Sequence, residues 1–296
     1  LLAVSLAIAM FAPSGSLAAA QLGGDDETAS AMPVEPAPPP EGVASATCLG
    51  RPATIVAIAG FETVGTTTAD VIVGTTGDDI IRGLGGNDRI CAGPGDDVVD
   101  GGAGDDRIHG GAGDDDLRGA DGSDQLIGAR GDDTIRGGAG DDRLWGDRGR
   151  DSLHGGYGED VLRGAGVVTG ARGGPDRLFG GPGADWLVGS AADDLLVGGA
   201  NGDSLIGRGG NDVLRGGHGR DDLAGGDGDD QLRGGAGPDT LDAGSGRDVL
   251  DGQQGADYLN ARDRERDRVY GGRGRDDGWW DRDLDEVEGV ERGYAN

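Results

Sequence analysis

The chain has 296 residues, of which 66 are glycine and 4% are aromatic, and its net charge is −29 because 55 acidic residues outnumber 26 basic ones. All 26 basic residues are arginine. So little apolar surface predicts a disordered chain, and so acidic a surface argues against nucleic acid as a partner, since phosphate binding needs positive charge. An acidic surface attracts cations instead, which raises the question whether a cation folds this chain.

Residues 1–20 are predicted to be an export signal. Leu1–Phe11 is apolar apart from Ser5, and Ala18–Ala20 provides a small-residue cleavage site. We expect a few residues before Leu1, because the chain begins with neither methionine nor a basic segment. A membrane anchor is the alternative, but a span needs about 20 apolar residues, so no stable membrane span is predicted.

Residues 21–46 contain five prolines between Pro33 and Pro40 among small and acidic residues. This composition predicts an extended, disordered linker.

Two cysteines, Cys48 and Cys91, follow the linker. An exported chain favours a disulfide between them, which would close a loop of about 43 residues and contribute about 4 kcal/mol in the chain-entropy model. Two free buried thiols are the alternative. A two-cysteine metal site would lack the paired spacing that such sites show.

A nine-residue repeat begins at Gly65. Residues 101–109 read GGAGDDRIH and residues 110–118 read GGAGDDDLR. When the positions are numbered one to nine, position six is aspartate at every ninth residue from 70 to 160 and again from 176 to 257. Position eight is always Ile, Leu or Val, and position four is glycine except at Thr68, Ala192 and Asn201. A phase held over this length indicates a repeat architecture rather than a disordered segment.

Each position of the repeat has a physical role. One apolar residue in nine cannot form a helix face, but it can form a three-residue strand with position eight pointing inward and positions seven and nine outward. The six preceding residues form a turn, in which glycines permit positive φ and turn carbonyls towards a common centre. Carbonyl and carboxylate oxygens are the hard ligands that Ca²⁺ prefers.

The pattern Gly-Gly-x-Gly-x-Asp-x-(Leu/Ile/Val)-x resembles the RTX, or hemolysin-type, calcium-binding nonapeptide repeat. The resemblance implies an all-β chain folded as a right-handed parallel β-roll, a β-helix-like solenoid in which two repeats form one coil. Each ion would lie between turns stacked two repeats apart, held by backbone carbonyls and position-six carboxylates. The repeats fill two blocks, 65–163 and 171–260.

The resemblance assigns calcium binding to the position-six carboxylates. Turns with Thr68 or Ala192 at position four are expected to be poor, because these residues strain a positive φ, and this leaves roughly 14 good sites. The discounted stacked pairs are Asp70/Asp88, Asp176/Asp194 and Asp194/Asp212. The predicted calcium ligands are Asp79, Asp88, Asp97, Asp106, Asp115, Asp124, Asp133, Asp142, Asp151, Asp160, Asp176, Asp185, Asp203, Asp212, Asp221, Asp230, Asp239, Asp248 and Asp257.

Three segments depart from the repeat. Residues 164–170 break the phase, and they either divide two rolls or form a loop within one. Residues 47–64 are predicted to be an N-terminal cap whose first strand contains Ile55, Val56 and Ile58, with Cys48 tying it to the third repeat. Imperfect repeats and a C-terminal cap are predicted for 261–296, where apolar mass comes from Trp279, Trp280, Leu284, Val287 and Val290. The tryptophan pair could alternatively form a sugar platform.

Catalytic patterns are missing from the sequence. It has no H-E-x-x-H or G-x-S-x-G motif, and His109 and His154 are predicted to lie on opposite sheets. Paired aspartates recur in almost every turn, which favours ligands over an acid–base dyad. We therefore predict that the chain is not an enzyme.

The outward arginines allow two interpretations. Arg89 and Arg107 are predicted to stack on one face, and Arg118 and Arg136 on the other. They could bind an anionic polysaccharide or a cell surface, or they could be a solvated face that balances nearby acids. Position three carries no threonine ladder, which argues against ice binding.

The sequence therefore predicts a secreted, extracellular calcium-binding protein that folds on binding Ca²⁺ and serves a structural or surface-interaction role. The alternative is a calcium-dependent folding or secretion module of a larger secreted enzyme, toxin or adhesin. A lysine-free chain rich in Ala, Gly, Arg and Asp suggests a bacterium with a GC-rich genome.

Overall fold

A computed structural model of the protein describes residues 46–165, 173–282 and 284–295. The predicted export signal, almost all of the predicted linker and most of the phase break lie outside the described residues. Within the described part of the chain, no helical segment has the length and apolar character needed to cross a lipid bilayer.

The described residues form two parallel sheets of 14 strands each and one short antiparallel hairpin. The hairpin consists of β1 (Thr47–Cys48) and β2 (Arg51–Pro52). Sheet 1 contains, in spatial order, β3 (Ile55–Val56), β5 (Val71–Val73), β7 (Arg89–Pro94), β9 (Arg107–Ala112), β11 (Gln125–Arg130), β13 (Arg143–Arg148), β15 (Val161–Arg163), β17 (Trp186–Val188), β19 (Ser204–Gly209), β21 (Asp222–Asp227), β23 (Thr240–Ser245), β25 (Tyr258–Ala261), β28 (Asp277–Trp280) and β30 (Arg292–Ala295).

Sheet 2 is built from the intervening strands, so the chain alternates between the sheets and completes one coil with every two repeats. Sheet 2 contains, in spatial order, β4 (Thr63–Val64), β6 (Ile80–Gly85), β8 (Val98–Ala103), β10 (Asp116–Asp121), β12 (Thr134–Ala139), β14 (Ser152–Tyr157), β16 (Arg177–Pro182), β18 (Leu195–Ala200), β20 (Val213–His218), β22 (Gln231–Ala236), β24 (Val249–Gly255), β26 (Arg268–Tyr270) and β29 (Glu286–Glu288), with β27 (Arg273–Gly274) paired to β24. This arrangement confirms the predicted all-β parallel roll.

Most strands are twice as long as the repeat predicts. The typical strand has six residues rather than three, because positions one to three of the following repeat continue the parallel pairing with the next coil. In β10 and β12, for example, Leu117 pairs with Ile135 and Asp121 pairs with Ala139. The strand therefore continues into the turn instead of ending where the apolar position ends.

The core is a single stack of position-eight side chains between the sheets. These residues are at most 2% exposed from Ile72 to Leu259, and each pairs with its counterpart one coil away, as Leu126 does with Leu144. A parallel ladder places identical positions over one another, so one apolar residue per repeat is enough to form a continuous core.

Both sheets continue across the phase break. Leu153 of β14 pairs with Leu178 of β16, and Leu162 of β15 pairs with Leu187 of β17, although these partners are 25 residues apart rather than the usual 18. Position eight still meets position eight, although only positions seven to nine pair at the break. The described strands on the two sides of the break therefore belong to one pair of sheets.

The two ends of the roll close differently. At the N-terminal end, Ile55 and Val56 form β3, whereas Ile58 lies beyond that strand and is exposed. Cys48 forms a disulfide with Cys91 of β7. At the C-terminal end, Val287 and Val290 pack against the core, while Leu284 is exposed.

The disulfide provides the first prediction. Replacing both Cys48 and Cys91 with serine should lower the free energy of unfolding by about 4 kcal/mol. The crosslink closes a 43-residue loop and so reduces the conformational entropy of the unfolded chain. Chemical denaturation of the oxidised protein and the double variant, both in calcium, measures the difference. An unchanged midpoint and slope would show that the first coil contributes nothing to the cooperative unit.

Candidate functional site

The position-six aspartates form two buried columns, one along each row of turns. From Asp88 onward, the Oδ1 atom of each of these aspartates accepts the backbone N–H of the aspartate one coil earlier. Asp106 accepts from Asp88 at 2.8 Å, and Asp133 accepts from Asp115 at 2.9 Å. This bond holds each carboxylate against the preceding coil and fixes the direction of its second oxygen.

Glycine at position one makes room for that second oxygen. A Cβ atom added to Gly83 would collide with Oδ2 of Asp88 and with the carbonyl oxygen of Gly101 in the next coil. Gly137 has the same surroundings, formed by Asp142 and the carbonyl oxygen of Gly155. A carboxylate oxygen and a backbone carbonyl from adjacent coils therefore face the same small space.

The Oδ2 atoms in these spaces lack hydrogen-bond partners. Among the predicted calcium ligands, every aspartate except Asp79 has a buried Oδ2 atom with no donor in the described part of the structure. A buried polar atom without a partner costs about 1–3 kcal/mol, and more when it is charged. Such a cost, repeated along both columns, marks the place where a cation would be stabilising.

The donor set fits calcium. No group of three or more His, Cys, Asp or Glu side chains that could hold a metal is found among the described residues. Side chains alone therefore do not form a metal site, and backbone carbonyls would have to supply most of the ligands. Oxygen ligands of this mixed kind are those that Ca²⁺ accepts, with high coordination numbers and flexible geometry.

Three turns satisfy their carboxylate internally, at Asp70, Asp79 and Asp194. Each has a hydroxyl residue at position two, and that residue donates its backbone N–H to Oδ2: from Thr66 at 2.7 Å, from Thr75 at 2.5 Å and from Ser190 at 2.5 Å. The same hydroxyl group also donates to the carboxylate in all three turns. These three aspartates thus have no buried Oδ2 atom that lacks a hydrogen-bond donor.

The backbone of these turns differs from that of the others. Thr68 and Ala192 at position four avoid positive φ, whereas Asn201 adopts it at +82°. Position four correctly marks the Asp70 and Asp194 turns as unusual, but Asp79 has Gly77 there and still belongs with them. The signal common to all three is a hydroxyl residue at position two.

Two carboxylates outside the predicted set continue the columns. Asp267 and Asp276 accept the N–H of Asp248 and Asp257, each at a separation of 19 residues, and both have unpartnered buried Oδ2 atoms. The one-residue insertion moved them out of the nine-residue phase. For Asp276 the sequence did carry a signal, because residues 271–276 read GGRGRD.

Burial raises the pKa of these carboxyl groups. It raises the pKa of Asp133 to about 8, against the lowering effect of the Asp115 N–H, and the carboxylates of Asp151 and Asp115 add to the rise. The pKa of Asp176 also rises to about 8, and that of Asp106 to about 7, again mainly through burial. Metal-free columns therefore bind protons near neutral pH.

Comparison with known proteins gives one family match. The model of the RTX calcium-binding nonapeptide repeat matches residues 64–99, 92–126, 118–153, 136–166, 171–205, 197–232 and 225–259. No curated protein matches significantly. Among solved structures, the chain is similar to a hyperactive, Ca²⁺-dependent, β-helical antifreeze protein from an Antarctic bacterium, with 18% identity, a TM-score of 0.44, and coverage of 82% of this chain and 80% of that one.

Aspartates with an unpartnered Oδ2 atom and aspartates with a hydrogen-bonded Oδ2 atom should contribute differently to the number of bound calcium ions. Asp133→Asn should lose one or two bound ions, because Asp133 belongs to the stacked pairs with Asp115 and with Asp151. Asp79→Asn should lose none, because its carboxylate already accepts the donors of Thr75. Native mass spectrometry of the calcium-loaded proteins counts the ions, and equal losses in the two variants would contradict the distinction.

The raised pKa values predict how the metal-free fold depends on pH. A carboxyl group whose folded pKa exceeds its unfolded value contributes stability that is present below the unfolded pKa of about 4 and is lost as the pH rises through the folded pKa. For Asp106, Asp133 and Asp176 the loss begins at about pH 4 and is complete at about pH 7 to 8. Circular dichroism of metal-stripped protein should show more β-structure at pH 5 than at pH 8, and the reverse order would contradict the assignment.

Proposed function

The chain belongs to the family of RTX calcium-binding nonapeptide-repeat proteins, and from that premise we propose that it is a secreted structural or surface-interaction protein that folds on binding extracellular Ca²⁺. The observation that carries this proposal is the pair of buried aspartate columns with unpartnered Oδ2 atoms. Such columns are self-repelling until an external positive charge compensates them.

The chain's own residues prepare the turns for a cation. Position-one glycines bring a carbonyl and a carboxylate from adjacent coils to one space, and the Oδ1 hydrogen bonds hold the carboxylates in register. Bound calcium would supply positive charge, and the unpartnered Oδ2 atoms would be among its ligands. Because the unfolded chain has no such preformed arrangement, the binding free energy becomes folding free energy.

We place the ions between stacked turns in which both carboxylates have an Oδ2 atom without a hydrogen-bond donor. Continuity across the break adds the pairs Asp151/Asp176 and Asp160/Asp185 to those counted from the repeat blocks, and the C-terminal continuation adds Asp248/Asp267 and Asp257/Asp276. The hydroxyl turn at Asp79 removes the pair Asp79/Asp97. The resulting number is somewhat above the roughly 14 ions expected from the repeat alone.

The proposed location is extracellular, where calcium modules bind at about 10⁻⁴ to 10⁻³ M. An unfolded, calcium-free chain suits export, and folding would follow release. We propose no enzymatic role, since the recurring chemistry of the described residues is that of oxygen ligands. Assay of the culture medium and the cell fraction for the protein tests the location.

A second candidate function is a calcium-dependent folding or secretion module of a larger secreted enzyme, toxin or adhesin. The family match favours it as much as the first, because the matched residues are repeats and not a catalytic domain. The complete reading frame separates the two candidates. An attached catalytic or adhesive domain would favour the module.

The central experiment is a far-UV circular dichroism titration of residues 43–296, which form one compact unit, from metal-stripped protein to 10 mM Ca²⁺, with Mg²⁺ in parallel. We expect a coil-to-β transition with Ca²⁺ and little change with Mg²⁺, which demands a rigid octahedral site. Protein that is fully folded without metal, or disordered at every calcium concentration, would overturn the proposal.

A matched pair of variants separates site loss from charge loss. One replaces the buried position-six residues Asp115, Asp124, Asp133 and Asp142 with asparagine. Its control replaces the exposed position-five residues Asp105, Asp114, Asp132 and Asp141 with asparagine, which removes the same charge from the same region. The first variant should need several-fold more calcium to fold. The control should fold at a calcium concentration close to that of the wild type, because asparagine Oδ1 atoms can still accept the backbone N–H groups of the next coil, and the one ion pair that is lost, Asp132–Arg150, is exposed.

A further inference from the structure

The outward face of sheet 1 has an unusual charge pattern between β5 and β17. None of its position-seven and position-nine residues is acidic in this described stretch, although the whole chain has a net charge of −29. In the C-terminal half of the same face, Asp222, Asp242 and Asp277 occupy these positions. The outward residues of the N-terminal half are Val71, Val73, Arg89, Cys91, Arg107, His109, Gln125, Ile127, Arg143, Trp145, Val161, Arg163, Trp186 and Val188.

Four arginines lie on the neighbouring strands β9, β11 and β13 of sheet 1. Arg107 and Arg143 are exposed outward residues of β9 and β13, and Arg130 and Arg148 are paired with each other at the ends of β11 and β13. We call these four residues the arginine cluster. None of them belongs to an ion pair formed by the described residues, since those ion pairs involve other arginines. Arg107 donates instead to the neutral Gln125 side chain at 3.4 Å.

Trp145 lies among these cations. It is half-buried on β13, between Arg143 and Arg148 in the chain, and its neighbours in register are Ile127 of β11 and Arg163 of β15. Arg163 in turn lies over the Trp186 ring at 5.0 Å. Trp145 and Trp186 thus lie on alternate strands of this face, with Arg163 on the strand between them.

Most of the nearby acids lie in the turns, and one, Asp147, lies on β13 itself. Asp105 and Asp141 belong to the position-five turn column, where their Oδ1 atoms accept backbone N–H groups of the next coil. Asp147 adjoins Arg148 but is half-buried, and burial raises the pKa of its carboxyl group. The face is thus an arginine-rich strip that contains one half-buried carboxylate, that of Asp147, and is bounded by acidic turns.

We propose that this strip binds a linear carboxylated polysaccharide, with Trp145 beneath a sugar ring and the arginine cluster paired with its carboxylates. The inference rests on the proposed surface-interaction role and names its partner class. Guanidinium groups recognise carboxylates through bidentate hydrogen bonds, and strands about 4.8 Å apart present them periodically to an extended polymer. Nucleic acid fits less well, because its dense phosphate charge would be repelled by the acidic edges.

The test measures binding of calcium-loaded protein to an immobilised oligouronate by biolayer interferometry, with neutral dextran and a single-stranded oligonucleotide as comparison ligands. The variant Arg130→Gln/Arg143→Gln/Arg148→Gln should bind about tenfold more weakly or worse. Its matched control, Arg118→Gln/Arg215→Gln/Arg233→Gln, removes three exposed arginines from sheet 2 and should bind within about twofold of wild type.

Both variants retain every position-six aspartate, so calcium bridging to the oligouronate would be the same in each. Trp145→Ala, which leaves all charges in place, should also weaken binding. No binding by wild type, equal losses in the two triple variants, or equal binding of dextran or the oligonucleotide would overturn the assignment. Circular dichroism of the same samples separates the causes: a chain that fails to fold in calcium contradicts the proposed function, and a folded chain that does not bind contradicts this inference alone.

Discussion

Burial of two columns of carboxylates is the constraint on which the rest of this structure depends. Each position-six aspartate is almost fully enclosed, and its nearest charged neighbours in the column are other aspartates. The opposing stabilisation is modest, since each repeat contributes one buried Ile, Leu or Val to the core. A solenoid of this kind therefore has a marginal core and a large electrostatic penalty, and the penalty can be relieved from outside by cations.

Hydrogen bonds from backbone N–H groups keep the aspartates of adjacent coils aligned in columns. The N–H of each position-six residue donates towards the following coil, as Asp88 does to Asp106, whereas the N–H of Asp96 at position five donates towards the preceding coil, to Asp78. Two adjacent N–H groups in a turn are thus satisfied from opposite sides by side chains rather than by carbonyls. A single aspartate supports its neighbour and is supported in turn, so the pattern tolerates few interruptions.

The ends of the columns are closed by local donors. Thr66 satisfies Asp70 at the start, and at the other end Asp285 accepts the N–H of Asp267 with one oxygen and that of Asp281 with the other. A terminal carboxylate that is satisfied within its own coil needs no further coil beyond it. Polar groups at both ends thus supply local hydrogen bonds to the carboxylates there.

Much of the fold could be predicted from the repeat, because position eight and position six each have one physical role. Other features depend on contacts that the repeat does not encode. The six-residue strands arise from pairing between coils. The Asp79 turn differs because Thr75, at position two of the repeat, supplies the hydrogen-bond donors. Asp267 and Asp276 were missed because a ladder tolerates a change of spacing as long as Val269 still meets Leu250. Three-dimensional register, and not sequence phase, therefore determines which carboxylates belong to the columns.

The distribution of charge links the turns to the faces. Acidic residues are concentrated in the turns, while positions seven and nine of the N-terminal half of sheet 1 carry arginines and no carboxylate. Cations bound in the turns would reduce the negative potential along both edges of that face and so strengthen its attraction for an anionic polymer. Linkage is reciprocal, so a polymer bound there would raise the calcium affinity of the adjacent turns by the same factor. In the folded chain, the proposed calcium sites and the proposed polymer surface would therefore be coupled through their electrostatic field.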